Sequence, residues 1–531
     1  MPVKKITTPN DDDNNNNQQK LIKNNVKKIW THFKTTPLMS PYHVTFSISD
    51  VVNVQSSEKL LSIWSENDKN NDNNNNSSIK SLLLMESLKM SDQVLKLFEG
   101  YTKISYMLPK IDIITFPTLD KTENWGVIYF WEESIFKKSE FLLEDKEKIS
   151  SVIVPAIAQQ WFDNLVTPHW WSDLWITSGL STYLGYFATA KVLNIPSLVD
   201  FYLIKKIHDV PLNRDIKNCN EYIMEDITLS NKPAKIMHML NSLITNRVFQ
   251  TGVRNILQKF KFKSIKSDDF WFIMQESLNK SSLSNKINIK IVMERYVLQT
   301  GYPIINMYRN YTTGTIKLTQ ECSLDFKNII NNNDTYNNNN NNIKKKWWIP
   351  INFATSESFN FMSIFATHWL KPDENELTIE GVHLNDFIIF DNQVTGFYRV
   401  NYDKRSWIKI SDYLNSEKFH KIHFLNRAKL LQDVTWFWQN NKMETNFFLT
   451  FVSYLKRESN VIPWFQFHDI LSFAFKIDDT IFQNLVELLV NSVLEKRIFD
   501  NEKNDEFLVK KLLYMAKYWK EKFKFYSSRK N

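Results

Sequence analysis

Apolar and polar positions alternate along this chain with three different rhythms. Three asparagine-rich tracts, at residues 10–19, 66–76 and 331–342, carry almost no apolar side chains. Such runs bury too little surface to offset the entropy of ordering, so they predict a disordered leader and two loop insertions. Between the first two tracts Val44, Phe46 and Ile48 alternate with polar residues, the period of a strand. Short apolar runs at 111–116 and 127–131, bounded by Pro117 and Gly126, predict two more strands. From Ser151 the period lengthens, with apolar residues three or four apart across 157–165, 180–193, 234–249 and 270–278, which predicts helices. After Gly301 and Pro303 the period returns to two across 376–384 and 386–402, with Gly396 as a candidate bulge or turn. A β-sandwich module of about a hundred residues is expected there. Past Trp407 helical spacing resumes, around 427–439 and 482–496, and the chain is expected to stop inside a larger helical array.

Composition narrows the function classes. A length of 531 residues implies several domains, and 43% hydrophobic residues with 17 Trp and 38 Phe exclude bulk disorder. Only nine glycines occur and no two form G-x-G, so phosphate-cradling loops have no raw material. The net charge of +8 is spread with both signs interspersed and points to no nucleic-acid partner. Cys219 and Cys322 allow one bridge at most and no cysteine zinc site. The residues after Met1 lack the apolar core of a signal peptide, and no run reaches the length of a transmembrane segment. The expectation is a cytoplasmic chain as written, unless its start is incomplete.

Two stretches are distinctive. Tyr106-Met107-Leu108-Pro109-Lys110, followed by Glu123-Asn124-Trp125-Gly126, resembles Y-P-L-P-K and G-A-M-E-N-W-G. Residues 155–167, then Trp170-Trp171-Ser172-Asp173-Leu174-Trp175 and Gly179, resemble H-E-x-x-H-Q-W-F-G-N-L-V-T followed by W-W-x-D-L-W-x-x-E-G. Both are similar to motifs of the aminopeptidase N family of zinc metallopeptidases. Gly301-Tyr302-Pro303-Ile304, residues 395–403 and Asn426-Arg427-Ala428 extend the resemblance to roughly residues 30–480. It implies an α+β multidomain fold: a thermolysin-like (gluzincin-type) α/β domain, a small β-sandwich and a partial α-helical superhelical domain. The corresponding division is a disordered Asn-rich leader (1–29), a remnant of an N-terminal β-sandwich (30–64), a catalytic-type domain (77–300), the small sandwich (301–405) and a truncated helical domain (406–531).

The resemblance implies removal of an N-terminal residue from a peptide by zinc-bound water. That chemistry needs two histidines one helical turn apart, a third ligand and a general base. Here Pro155 and Gln159 occupy the histidine positions, Ser178 that of the third-ligand glutamate, and Ala156 that of the base. Ser230 occupies the position of the tyrosine that stabilises the tetrahedral intermediate, and a short hydroxyl cannot reach what a phenol reaches. Pro155 inside the motif helix deletes a backbone hydrogen bond and predicts a kink. Glu123 alone matches a functional residue, the carboxylate that binds the substrate's free amine in that family. A plain hydrogen-bonded carboxylate is the competing reading. Asp120-Lys121-Thr122 replace the small residues before it, which puts peptide approach in doubt.

Other constellations are weaker. Asp163, His169 and Asp173 have the ligand types of a substitute metal site at unconvincing spacing, and a buried or capping Asp173 is the plainer expectation. His420 and His423 read as an exposed pair. Ser178 and Ser230 lack a G-x-S-x-G elbow. Lys344-Lys345-Lys346-Trp347-Trp348 reads as a loop end with core aromatics, and Trp161, Trp170, Trp171 and Trp175 as core packing. The expected function is that of a catalytically inactive, shortened homologue without bound zinc. It retains at most peptide or protein binding near Glu123, or pairing with a homologous aminopeptidase subunit through the helical region. The alternatives are an active metalloaminopeptidase with substitute ligands and a non-functional gene fragment.

Overall fold

The computed structural model of the chain describes residues 3–7, 30–48, 51–56, 60–66, 74–116, 122–132, 142–204, 226–283, 287–324, 345–474, 480–495 and 506–530. Its packing divides into two compact units, residues 1–167 with 257–265 and residues 168–256 with 266–531. The first and third asparagine tracts lie outside the described residues. The second is shorter than its composition suggests, because Glu66 closes one strand and Asn74 opens a helix.

In the first unit β1 (Val3–Thr7) pairs antiparallel with β2 (Trp30–Phe33). A five-stranded sheet then runs in the order β3 (Val51–Gln55), β4 (Leu61–Glu66), β5 (Ile111–Phe116), β7 (Val127–Trp131), β6 (Thr122–Asn124). The three inner strands are parallel and the two edges antiparallel; β8 (Val166–Pro168) and β9 (Lys263–Ile265) form a separate two-stranded sheet. Inner parallel strands are covered on both faces, which is why 111–116 and 127–131 read as continuous apolar runs rather than alternating ones. Helix α1 (Asn74–Thr102) packs along β4 and on helix α2 (Leu142–Gln159), burying Leu83, Val94, Leu95 and Phe98.

The strand expected at Val44–Ile48 does not form. Alternation makes a strand only where a second backbone meets it; here Val44 N–H turns back to the Pro41 carbonyl at 3.1 Å, and Val44, Phe46 and Ile48 all face solvent, Ile48 being 93% exposed.

In the second unit helix α3 (Leu174–Leu193) lies closely on α5 (Asp226–Ile244), with α4 (Leu198–Leu203) beyond it. The helix expected over 234–249 is two helices, because Thr245 takes a φ of +74° and separates α5 from α6 (Asn246–Phe260). Helices α7 (Ser267–Asn279) and α8 (Ile289–Leu298) follow. The β module is a four-stranded sheet with two strand pairs beside it. The sheet order is β15 (Leu377–Ile379), β11 (Ile316–Cys322), β10 (Pro303–Arg309), β17 (Arg399–Asn401). The pairs are β12 (Ile349–Ile351) with β14 (His368–Leu370), and β13 (Phe353–Thr355) with β16 (Ile388–Phe390).

Gly396 does not make the turn between β16 and β17. Asp391, Gln393 and Val394 take the left-handed angles, with φ of +65°, +55° and +60°. For a β-branched residue that conformation is costly and persists only when its surroundings enforce it. The enforcement comes from side-chain amides. Asn352 accepts from Asn392 N–H at 2.7 Å, and Asn426 accepts from Gln393 N–H at 3.0 Å and donates to the Asp391 carbonyl at 3.0 Å. Gly396 is needed for a different reason: a Cβ there would sit 2.2 Å from the Tyr398 ring.

The remaining helices are α9 (Lys404–Leu414), α10 (Phe424–Gln439), α11 (Thr445–Val452), α12 (Val461–Ala474), α13 (Thr480–Leu494) and α14 (Glu506–Lys530). Two buried ion clusters fix α10. Arg399 and Lys429 each reach Asp433 at 2.8 Å, and Arg427 holds Glu458 through two bonds of 2.6 and 2.7 Å. No helix of the described residues is long and apolar enough to cross a membrane.

Candidate functional site

The positions matched to the peptidase motifs are divided between the two units. In the first, α2 carries Pro155, Ala156 and Gln159 near its C-terminal end. Pro155 produces no break: helix runs from Leu142 through Gln159, although Pro155 removes the N–H that would bond Ser151. The backbone departs from α geometry only afterwards, in the π-type turn Gln160–Leu165, where Phe162 and Asp163 leave helical angles. Ala156 is fully buried. Gln159 Oε1 is buried and has no hydrogen-bond partner.

The neighbouring Gln160 holds the frame. Its Oε1 accepts from Gly126 N–H at 2.9 Å and from the Tyr106 hydroxyl at 3.4 Å, while Nε2 donates to the Asn124 and Ala156 carbonyls, each at 3.4 Å. One buried amide thus ties α2 to the loop that carries Glu123. Gly126 adopts φ +80°, and a Cβ there would lie 2.7 Å from Leu108 Cδ1 and 3.3 Å from the Lys110 carbonyl. Glu123 sits half-buried on β6, opposite Ile128 of β7. Asn124 Nδ2 donates to the Tyr42 carbonyl at 3.2 Å, and Trp125 packs 6.1 Å from the Phe262 ring. His43, next to Tyr42, is buried, and loss of hydration lowers its imidazole to about 4. Residues 120 and 121 lie outside the described residues.

The roles of Gln160 and Tyr106 were not assigned from sequence. Both fall inside the two matched stretches, so their signal was present. What could not be read was that stretches about fifty residues apart meet through one amide.

In the second unit Ser178 lies in α3, its Oγ buried and without a partner. The adjacent Gly179 lets α3 approach α5, since a Cβ there would meet Pro233 Cβ at 2.9 Å. Ser230 lies in the first turns of α5, and its side chain falls outside the described part. Further along α5, Asn231 accepts from the Tyr186 hydroxyl at 3.1 Å, and the buried Lys232 reaches the Gln299 carbonyl at 3.3 Å. Burial lowers the His238 imidazole to about 4. Asp173 is a cap, as expected: Oδ1 accepts from Ser267 N–H at 2.9 Å and Ser267 Oγ at 2.7 Å, closing the start of α7.

The aromatic and histidine expectations need correction. Trp161 and Trp175 are core, whereas Trp170 is 56% exposed and Trp171 half-buried. His420 is exposed, but His423 caps α10 by accepting from Leu425 N–H, and burial beside Arg427 lowers it to about 4. Of the lysine run, Lys345, Lys346, Trp347 and Trp348 are described, and Trp347 is fully buried.

The residues at the matched ligand positions do not fit zinc. A proline ring, an uncharged carboxamide and a hydroxyl offer no imidazole or carboxylate, and a methyl group stands where the base would be. Among the described residues no group of three or more His, Cys, Asp or Glu side chains is placed to hold a metal ion.

Comparison with known proteins agrees with the motif reading at the level of family. Residues 86–296 match the Peptidase family M1 domain and residues 387–518 the ERAP1-like C-terminal domain. The chain is 26% identical to mouse aminopeptidase N (Mus musculus) over 456 residues, 82% of this chain and 44% of that protein. It is 28% identical to the human aminopeptidase N (Homo sapiens) over 456 residues, with the same two coverages. Identity to the cat aminopeptidase Q (Felis catus) is 27% over 511 residues, 91% of this chain and 47% of that protein. The chain therefore spans a little under half the length of these relatives. With two domain matches in the order found and alignments across most of its length, the chain belongs to the aminopeptidase N family.

Proposed function

We propose that this chain is a catalytically inactive member of the family that retains at most the binding of a peptide or protein ligand in the former active-site cleft, near Glu123. One observation carries the reading: Pro155, Ala156, Gln159 and Ser178 together remove every ligand and the base, while Gln160 still holds the Glu123 loop to α2 through Gly126 and Asn124. A scaffold kept around a lost donor set is the pattern of a binding protein derived from an enzyme. The same proposal includes a thermolysin-like domain over 77–300, a small β-sandwich over 301–405 and a superhelical domain over 406–531. A homologous aminopeptidase subunit is the candidate partner for the helical region; zinc and nucleic acid have no place in the proposal.

The test is zinc stoichiometry after incubation with excess metal and desalting, together with release of N-terminal residues from a peptide. The control carries Pro155→His, Ala156→Glu, Gln159→His and Ser178→Glu. The expected result is no retained metal and no release for the natural chain, and about one ion for the rebuilt one. One zinc in the natural chain, with hydrolysis that a chelator abolishes, would overturn the proposal.

A further inference from the structure

Three cations, one from the β module and two from α9, converge on one tyrosine, and none of them is ion-paired among the described residues. Tyr311 stands in the turn after β10. The Arg405 guanidinium carbon lies 4.2 Å from its ring centre, that of Arg309 5.5 Å and Lys409 Nζ 5.6 Å. Arg405 and Lys409 are one helical turn apart on α9, so they present the same face. Arg309 is 7% exposed and gives its guanidinium to backbone carbonyls only, those of Val382, His383 and Asp386, with its Nε unpartnered. Lys409 donates to the Leu384 carbonyl at 3.0 Å.

Two carboxylates are close by, and both are engaged by neutral donors. Asp403 accepts from Arg309 N–H, the Tyr311 hydroxyl and Ser406 N–H at 3.1, 2.8 and 2.8 Å, and Asp386 accepts from Ser356 Oγ at 2.6 Å. Three positive charges stand against two negative ones, and no cation–carboxylate pair closes within the cluster. Like charges this near repel, and Lys409 shows it: after burial, Arg309 and Arg405 are what hold its ammonium below the ordinary range. The exposed Arg405 guanidinium, stacked on the ring, has its N–H edge available to grip an oxyanion in a fork, while Arg309, spent on three carbonyls, adds its charge from the buried side.

We propose that Arg405, Lys409 and the buried Arg309 form an oxyanion-binding site on the face of Tyr311, which takes the side-chain carboxylates of an acidic polypeptide. The site lies entirely within the second unit and uses none of the peptidase-motif residues, so it stands whether or not the chain is inactive.

The experiment is calorimetric titration of the full chain with a capped hexaglutamate peptide, and separately with inorganic phosphate, at about 50 mM salt, where exposed charges are weakly screened. The expected result is peptide binding that weakens at least roughly tenfold in the double variant Arg405→Gln, Lys409→Gln, since charge-assisted bonds are lost. Lys404→Gln, which removes an exposed charge from the same helix outside the cluster, should bind as the natural chain does. Phosphate that displaces the peptide identifies the oxyanion as what is read; phosphate that fails to do so identifies the acidic polypeptide as the specific source. Both substituted side chains lie toward solvent, and an unchanged melting curve certifies the fold. The proposal is overturned if neither ligand binds, if the double variant binds like the natural chain, or if Lys404→Gln weakens binding equally.

Discussion

Replacing Asp391 by Asn should change how stability depends on pH. Asp391 is fully buried in the strained turn before β17, and its Oδ1 accepts from Gly396 N–H at 2.7 Å while Oδ2 has no partner. Burial, only partly offset by Lys429, pushes its carboxyl up from 3.8 to about 7. A raised carboxyl works against folding as pH rises. Below the unfolded value both states are protonated; from there to about 7 the unfolded chain ionises while the folded one keeps its proton, and stability falls; above about 7 the loss is complete. The slope is up to about 1.4 kcal/mol per pH unit, so between pH 5 and pH 8.5 the natural chain loses roughly 3 kcal/mol at this one residue. Asn tolerates the left-handed angle and keeps the bond to Gly396, at the expense of a buried N–H pair worth about 1–3 kcal/mol. The variant should therefore be the less stable protein at pH 5 and draw level with or pass the natural chain at pH 8.5. Urea unfolding at the two pH values, followed by tryptophan fluorescence, reads the difference directly. Two stability profiles that stay parallel within about 1 kcal/mol would refute the buried, neutral Asp391.

Other consequences follow from the same physics. Glu458→Ala leaves Arg427 buried without its two bonds and should cost about 3–5 kcal/mol, visible as a lowered urea midpoint, whereas Arg427→Met with Glu458→Leu should recover most of that. Gly126→Ala meets both the +80° angle and the 2.7 Å approach to Leu108, so unfolding should become easier by about 1–3 kcal/mol, and a variant as stable as the natural chain would show that the loop had moved. His43 takes a proton more readily unfolded than folded, so its stabilisation is complete above about 6.5 and is lost as pH falls toward about 4. A His43→Leu chain should lose less stability than the natural one across that window in thermal melts.

Sequence determined the family and most of the elements. Strands at 111–116 and 127–131 and helices over 180–193, 270–278, 427–439 and 482–496, the last ending at Leu494 in the structure, were legible because each buries a face whose period is local. The residue types at the positions matched to the motifs, Pro155, Ala156, Gln159 and Ser178, were legible too, because side-chain chemistry is a property of residue type. Tertiary structure decided whatever depends on a distant partner. Val44–Ile48 alternates like a strand but pairs with no strand among the described residues. The turn before β17 is bent at Asp391, Gln393 and Val394 rather than at the glycine, because amides from Asn352 and Asn426 impose angles that local preference would refuse. Pro155 leaves its helix unbroken, though its ring argued for a kink. Gln160 links two motifs, and three cations gather on Tyr311 from β10 and α9, nearly a hundred residues apart. Periodicity records which side of an element is buried; what it is buried against is fixed only when the chain has folded.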